Sequence, residues 1–204
     1  MTEKLLSELP DRNYIEQICK ALWSGQTFGR ASVMIGSGFS RNATKLSSSF
    51  PDFPLWRDLA KEIQKHLYPE QEGKGNPDPL KLASEFEIVF GRTALNELLV
   101  NTIPDQQHNP SELHEKLLKL PWSDVFTTNY DTLLERSTYK VPGRKYDIVY
   151  QYSDIPQCRQ PRIVKLHGSF PSHYPLIITE EDYRTYPQKF SPFVNLVQQS
   201  MMEN

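Results

Sequence analysis

The sequence predicts an α/β protein: a mostly parallel sheet with helices on both faces and a helical insertion. Short apolar runs at 31–35, 124–128, 146–152, 163–166 and 176–179 have the length of buried parallel strands. Longer segments with apolar residues every three or four positions lie between several of them, which is helical spacing. Three segments rich in glycine, amide or imidazole directly follow such runs, and in parallel sheets the loops at the carboxyl ends of strands converge on one crevice.

Taken in order, Asn13 to Gln26 reads as an amphipathic helix with Ile15, Ile18, Cys19 and Leu22 on one stripe, which assigns Cys19 to the core. Ala31 to Ile35 is a strand ended by glycine, and a helix is expected to start near Ser40 and break at Ser47-Ser48-Ser49. Pro54 suits a first helical turn, and Leu55, Leu59, Ile63 and Leu67 then recur at helical spacing, giving a helix to Tyr68. Glu70 to Asp78 is a polar linker carrying Gly73 and Gly75. Shorter helices are expected over 79–90, 92–102 and 111–119, broken at Gly91 and Pro104-Asp105, so that 69–122 forms an insertion between two strands.

Asp124 to Thr128 is the second strand and Tyr130 to Arg136 a short helix behind it. Tyr146–Tyr152, Ile163–Leu166 and Leu176–Thr179 are further strands, the last two joined by a hairpin-like return because the stretch between them is too short for a crossover helix. Ser191-Pro192 caps a closing helix marked by Phe193, Leu196, Val197 and Ser200. A doubly wound fold uses such a helix to reach another strand, so the chain is expected to be C-terminally incomplete, the N-terminal part of a longer protein.

Composition narrows the function. A formal charge of -2 with no compensating basic run argues against direct nucleic-acid binding. The first ten residues mix acids into their apolar stretch, unlike a signal peptide, and no apolar run approaches a membrane span, so a cytoplasmic location is expected. Cys19 and Cys158 are the only cysteines, which allows neither a disulfide framework nor a four-cysteine zinc site. No histidine pair has ligand spacing with a matching carboxylate, so no metal is expected.

The chemistry lies in three motifs. Gly36-Ser37-Gly38-Phe39-Ser40 follows the first strand; glycines let a backbone approach a pyrophosphate, Ser40 adds a hydroxyl donor and Arg41 a cation. An ordinary strand-to-helix turn would use the same residues. Thr127-Thr128-Asn129-Tyr130-Asp131 places an amide and a carboxylate at a strand end, for a ribose hydroxyl, a water or a carboxamide; a turn and a helix cap are the alternative use. Tyr130 reads as packing. In Leu166-His167-Gly168-Ser169, His167 is the best general base, since imidazole exchanges protons near neutral pH, although a lone histidine is often structural. Together the set suits a nucleotide, NAD in particular.

In order and spacing, Gly36–Ser40, Thr128–Asp131 and Lys165-Leu166-His167-Gly168 resemble the defining motifs of sirtuins and sirtuin-like domains. The bacterial branch found in anti-phage defence is the nearer resemblance, on the run Leu117 to Asp131 and on Thr179-Glu180-Glu181-Asp182-Tyr183. The resemblance implies a Rossmann-like NAD site and an NAD+ hydrolase that cleaves NAD+ to nicotinamide and ADP-ribose and depletes it during antiviral defence. It implies that Gly36, Ser37, Gly38, Phe39, Ser40, Arg41, Thr128, Gly168 and Ser169 hold NAD as substrate, with Asn129, Asp131 and His167 catalytic. Homo-oligomers, a helicase-type ATPase or a phage-sensing partner are implied as regulators. Sirtuin deacylases carry a four-cysteine zinc module and a Gln where Thr128 stands, which separates this chain from them. Deacylation, ADP-ribosyl transfer and a non-catalytic nucleotide-sensing module remain as alternatives.

Overall fold

A computed structural model of the chain describes residues 9–25, 28–71 and 78–203. Helix α1 (Arg12–Leu22) leads to strand β1 (Val33–Ile35), which opens onto a single helical turn, α2 (Ser37–Ser40). Then come β2 (Thr44–Lys45), α3 (Trp56–Leu67), the long α4 (Pro79–Thr102), β3 (His108–Asn109) and α5 (Glu112–Lys119). The second half runs β4 (Asp124–Thr127), α6 (Leu133–Thr138), β5 (Asp147–Val149), β6 (Arg162–Lys165), α7 (Glu180–Lys189) and α8 (Ser191–Glu203).

β1, β4, β6 and β5 lie side by side in that order and are all parallel, as expected. Ile35 pairs with Thr127 and Thr127 with Lys165, so the three strands that feed the motifs end at one level. β4 and β6 are buried along their whole length, which is why they read as short apolar runs. Side chains alternate across the sheet. Val125 and Ile163 join Leu22, Leu118 and Leu134 on one face, while Phe126 and Val164 join Val149, Leu166 and Phe193 on the other.

A third cluster lies beyond the sheet. Leu59 and Ile63 of α3 pack on Leu82, Phe86, Leu95 and Leu99 of α4, and the cluster extends to Tyr130, Phe170, Leu176 and Ile178. Each such side chain contributes roughly 1.5–3 kcal/mol on burial. The helical region between β2 and β4 is thereby seated on the loops that follow β4 and β6. Asp78 caps α4 by accepting from the Leu80 N–H, and Pro79 occupies its first turn. Gly91, at φ 86 and ψ 162, divides α4 at the expected break.

Several expectations need correction. The helix expected from Ser40 is a turn that ends there: Asn42 and Ala43 N–H groups bond back to the Phe39 and Ser40 carbonyls, and the Asn42 side chain donates to Phe39 O. The chain then enters β2, which pairs antiparallel with β3. The segment 176–179 is not a strand, because side chains take its backbone groups. Tyr130 Oη donates to Ile177 O, Arg92 Nη2 to Leu176 O, and Asp182 Oδ2 accepts the N–H groups of Ile178 and Thr179. The return before it is tight, with a Ser169–His173 bridge and Ile177 N–H bonded to His167 O.

The expectations contain no helix at 180–189, yet α7 forms there on a capping box in which Thr179 Oγ1 and Asp182 serve each other's N–H groups. α6 begins at Leu133 rather than Tyr130, since Thr132 and Leu133 N–H groups are held by Asp105 and Asp131 carboxylates. Cys19 is exposed, not core; of the proposed stripe on α1 only Leu22 is buried. Gln26 and most of the 70–78 linker lie outside the described residues. Among the described residues no helix is long and apolar enough to cross a membrane.

Candidate active site

β1 delivers Gly36 and α2 to the carboxyl end of the sheet. Gly36 and Gly38 are exposed, neither has a positive φ, and a Cβ at either would meet nothing within 4 Å. The protein's own packing does not require glycine at these two positions; a ligand lying against the backbone would. Arg41 is exposed at the end of the turn. Phe39 turns inward and packs edge-on against His114, with ring centroids 4.8 Å apart.

Ser40 is buried and points to the next strand. Its Oγ donates to Asp131 Oδ2 at 2.7 Å and accepts from Asn129 Nδ2 at 2.9 Å. One hydroxyl thus joins the first motif to both polar side chains of the second. Thr127 Oγ1 steadies the same junction, donating to Ile35 O and accepting the Asn129 N–H. Burial pushes the Asp131 carboxyl upward, opposed by the Lys165 ammonium and the Ser40 hydrogen bond. Tyr130 is buried with its hydroxyl bonded to Ile177 O, which is the packing role expected of it, and it also borders the cleft described below.

Asn129 and His167 each stand two residues past the paired Thr127 and Lys165, in the loops that leave the adjacent ends of β4 and β6. The His167 ring is bounded edge-on by Tyr183 and Tyr186 of α7, at 5.3 and 5.6 Å. Its side chain is buried, and among the described residues its Nδ1 has no hydrogen-bond partner. Burial pushes its pKa down to about 4, partly offset by Asp182, which leaves the imidazole neutral at neutral pH.

A narrow cleft of about 60 Å³ opens beside this cluster. Ser37, Ser40, Thr128, Asn129 and Asp131 form its polar wall, and Phe53, Leu55, Trp56, Leu59 and Ile103 the apolar one. Sequence reasoning missed the apolar wall, which comes from the region between β2 and β4 and carries no motif. The structure brings Ser37, Ser40, Thr128, Asn129 and Asp131 to one cleft; His167 is not among the residues lining it, and its ring sits against α7. Gly168 and Ser169 turn the chain behind the site. Gly168 has φ 86, and Ser169 is fully buried with its Oγ on Glu135 Oε1 at 3.2 Å. Among the described residues no group of three or more His, Cys, Asp or Glu is placed to hold a metal ion.

A buried neutral imidazole, an amide and a carboxylate in the loops after adjacent parallel strands can orient a hydroxyl or water and stabilise positive charge in a substrate. Residues 123–204 match the family model described as a SIR2-like domain. The chain therefore carries a SIR2-like domain on a parallel α/β sheet. Over 198 residues it is 31% identical to the NAD(+) hydrolase ThsA of Acinetobacter baumannii (strain 532279), covering 95% of this chain and 35% of that protein. It is 26% identical over 194 residues to Defense-associated sirtuin 2 of Bacillus subtilis, covering 92% of this chain and 18% of that protein. A ThsA of Cytobacillus dafuensis is 27% identical over 175 residues, 84% of this chain and 32% of that one. The chain spans about a fifth to a third of the length of these curated relatives.

Proposed function

We propose that this chain is the NAD-cleaving domain of a bacterial antiviral effector, hydrolysing the nicotinamide–ribose bond of NAD+. The observation that most supports this reading is the Asn129–Ser40–Asp131 chain of hydrogen bonds at the cleft, with the buried His167 imidazole in the loop after the adjacent strand. The names of the relatives, NAD(+) hydrolase and defense-associated sirtuin, point the same way.

In this reading Gly36 to Arg41 lie along the pyrophosphate, with Thr128 beside them and Gly168 and Ser169 shaping the loop behind. Nicotinamide leaves as a neutral base and the ribose becomes cationic at its anomeric carbon. Asn129 holds the ribose or the incoming water, and the Asp131 carboxylate stabilises the developing positive charge. Water adds to the anomeric carbon and loses one proton, which the neutral His167 accepts. The products are ADP-ribose, nicotinamide and a proton. An NAD consumer must be restrained in its own cell, so we place the chain in a larger assembly controlled by self-association or by a phage-sensing or helicase-type partner.

The test mixes the full-length protein with NAD+ and follows nicotinamide and ADP-ribose by chromatography, with and without acylated peptide. Release without peptide, lost in both Asn129→Ala and His167→Ala while circular dichroism is unchanged, is the expected result. Release that requires the peptide would move the chain to the deacylases, and NAD binding without products would make it a sensor.

A further inference from the structure

Lys165, the last residue of β6, is 1% exposed, which is rare for lysine. Its Nζ donates to the Asp131 backbone oxygen at 2.5 Å and pairs with Glu135 Oε1 of α6 at 2.9 Å. The same Glu135 oxygen accepts from Ser169 Oγ, while Oε2 is buried without a hydrogen-bond partner among the described residues. One buried ion pair thus joins the strand before His167, the loop holding Asn129 and Asp131, and the serine after Gly168.

Stability does not account for such a pair. Removing two charges from water costs several kcal/mol each, and well-packed apolar residues of similar volume are often neutral or better in the same place. Ile163 and Val164 beside Lys165 show that this strand accommodates apolar side chains. What the apolar alternative would lose is a cation directly beneath Asp131. That carboxylate accepts the Ser40 hydroxyl, and the Ser40 oxygen in turn accepts the Asn129 amide.

We propose that Lys165 and Glu135 are a positioning pair for the cleavage site: the ammonium anchors the Asn129–Asp131 loop and supplies the counter-charge that keeps Asp131 an acceptor, with Glu135 setting how strongly it does so. Asp131 in this role keeps the Ser40 hydroxyl turned toward it and the Asn129 amide nitrogen occupied, which leaves the Asn129 carbonyl oxygen for the substrate. The charged groups around Asp131 are Lys165 from β6, Glu135 from α6 and Asp105 from the segment before β3. Lys165 favours the ionised carboxylate; Glu135 and Asp105 oppose it. The inference rests on the hydrolase reading.

The opposite signs of the two partners give the test. Nicotinamide release by the full-length protein is measured from pH 4.5 to 8.5 for the parent, Glu135→Gln, Lys165→Arg and the charge-free Lys165→Met/Glu135→Gln pair. The double variant, which leaves no unpaired buried charge, guards against a loss of folding. It is expected to lose about 10- to 100-fold in kcat with little change in KM, because the loop is misplaced and not the binding surface. Its acidic limb should move up by about one pH unit. Glu135→Gln should move the limb down, and Lys165→Arg should retain most of the activity with the parent's profile. Equal acidic limbs across the series, with the parent active, would overturn the positioning role. A parent that releases no nicotinamide would instead overturn the hydrolase reading itself.

Discussion

Ser40 is a single hydroxyl with two buried polar neighbours, donating to Asp131 Oδ2 and accepting from Asn129 Nδ2. Burial pushes the Asp131 carboxyl upward, against the Lys165 ammonium and the Ser40 hydrogen bond. Two histidines, His114 and His167, are likewise held toward their neutral forms. Burial pushes both His114 and His167 down to about 4, from an ordinary value near 6.5. The unfolded chain therefore binds more protons than the folded one below pH 6.5, and stability contributed by neutral burial is present above that pH and lost as pH falls toward 4. Measured by urea unfolding between pH 7 and 5, above the range where most carboxylates titrate, stability should fall by roughly 1–3 kcal/mol. His114→Gln should flatten that slope by about half. His114 is the cleaner probe, because it lies under Phe39 and away from the cleft lining. A slope unaltered by the substitution would show that His114 titrates normally.

At the scale of elements, two glycines share a backbone conformation and differ in surroundings. Gly91, in the kink of α4, and Gly168, after His167, both have φ 86. A Cβ at Gly91 meets nothing within 4 Å, whereas at Gly168 it would lie 2.5 Å from Pro175 O and 2.7 Å from His173 O. Gly91→Ala is therefore expected to cost only the conformational penalty, about 1–3 kcal/mol. Gly168→Ala adds a backbone clash that shifts the return behind His167, and should cost well above 3 kcal/mol and remove activity. Thermal melts of the two variants decide this: equal losses would mean that the 168–176 return yields easily. Gly91 was legible in the sequence because a lone glycine splits two helical periods. Strands β4 and β6 were legible because burial along their whole length puts apolar side chains on both faces, and β1 because its apolar run ends at a glycine, although Met34 is exposed. Leu176–Thr179 misled for the same reason: it is fully buried and apolar, but its hydrogen bonds go to Tyr130, Arg92 and Asp182, which no local pattern reveals. The Thr179-x-x-Asp182 capping box that starts α7 was present to be read, although Pro187 within that helix masks it.

Across the whole molecule, the sheet supplies the motifs and the region between β2 and β4 supplies what surrounds them. Spacing along the chain made Ser40, Asn129, Asp131 and His167 legible; Lys165's contacts and the apolar wall of Phe53, Leu55 and Trp56 were not, because each depends on packing between distant segments. Arg92 is one polar tie between the α3–α4 region and the segment that follows β6. It donates to Leu176 O and pairs with Asp182 at 2.9 Å and Glu87 at 3.4 Å, just past the Gly91 kink. Asp182 holds the N–H groups of Ile178 and Thr179, and Tyr183 next to it bounds the His167 ring. A helix pair seated on α3 therefore reaches the imidazole through one guanidinium and one carboxylate. Removing Arg92 leaves Asp182 still capping α7 but frees the Leu176 carbonyl, so the loss should be local opening and not global unfolding. For Arg92→Met we expect hydrogen exchange to accelerate in 176–183 with 124–127 and 162–165 unchanged, and nicotinamide release to fall by about tenfold as His167 loses its fixed wall. Exchange that rises uniformly over the sheet would instead make Arg92 a plain stability contact, with no particular hold on the site.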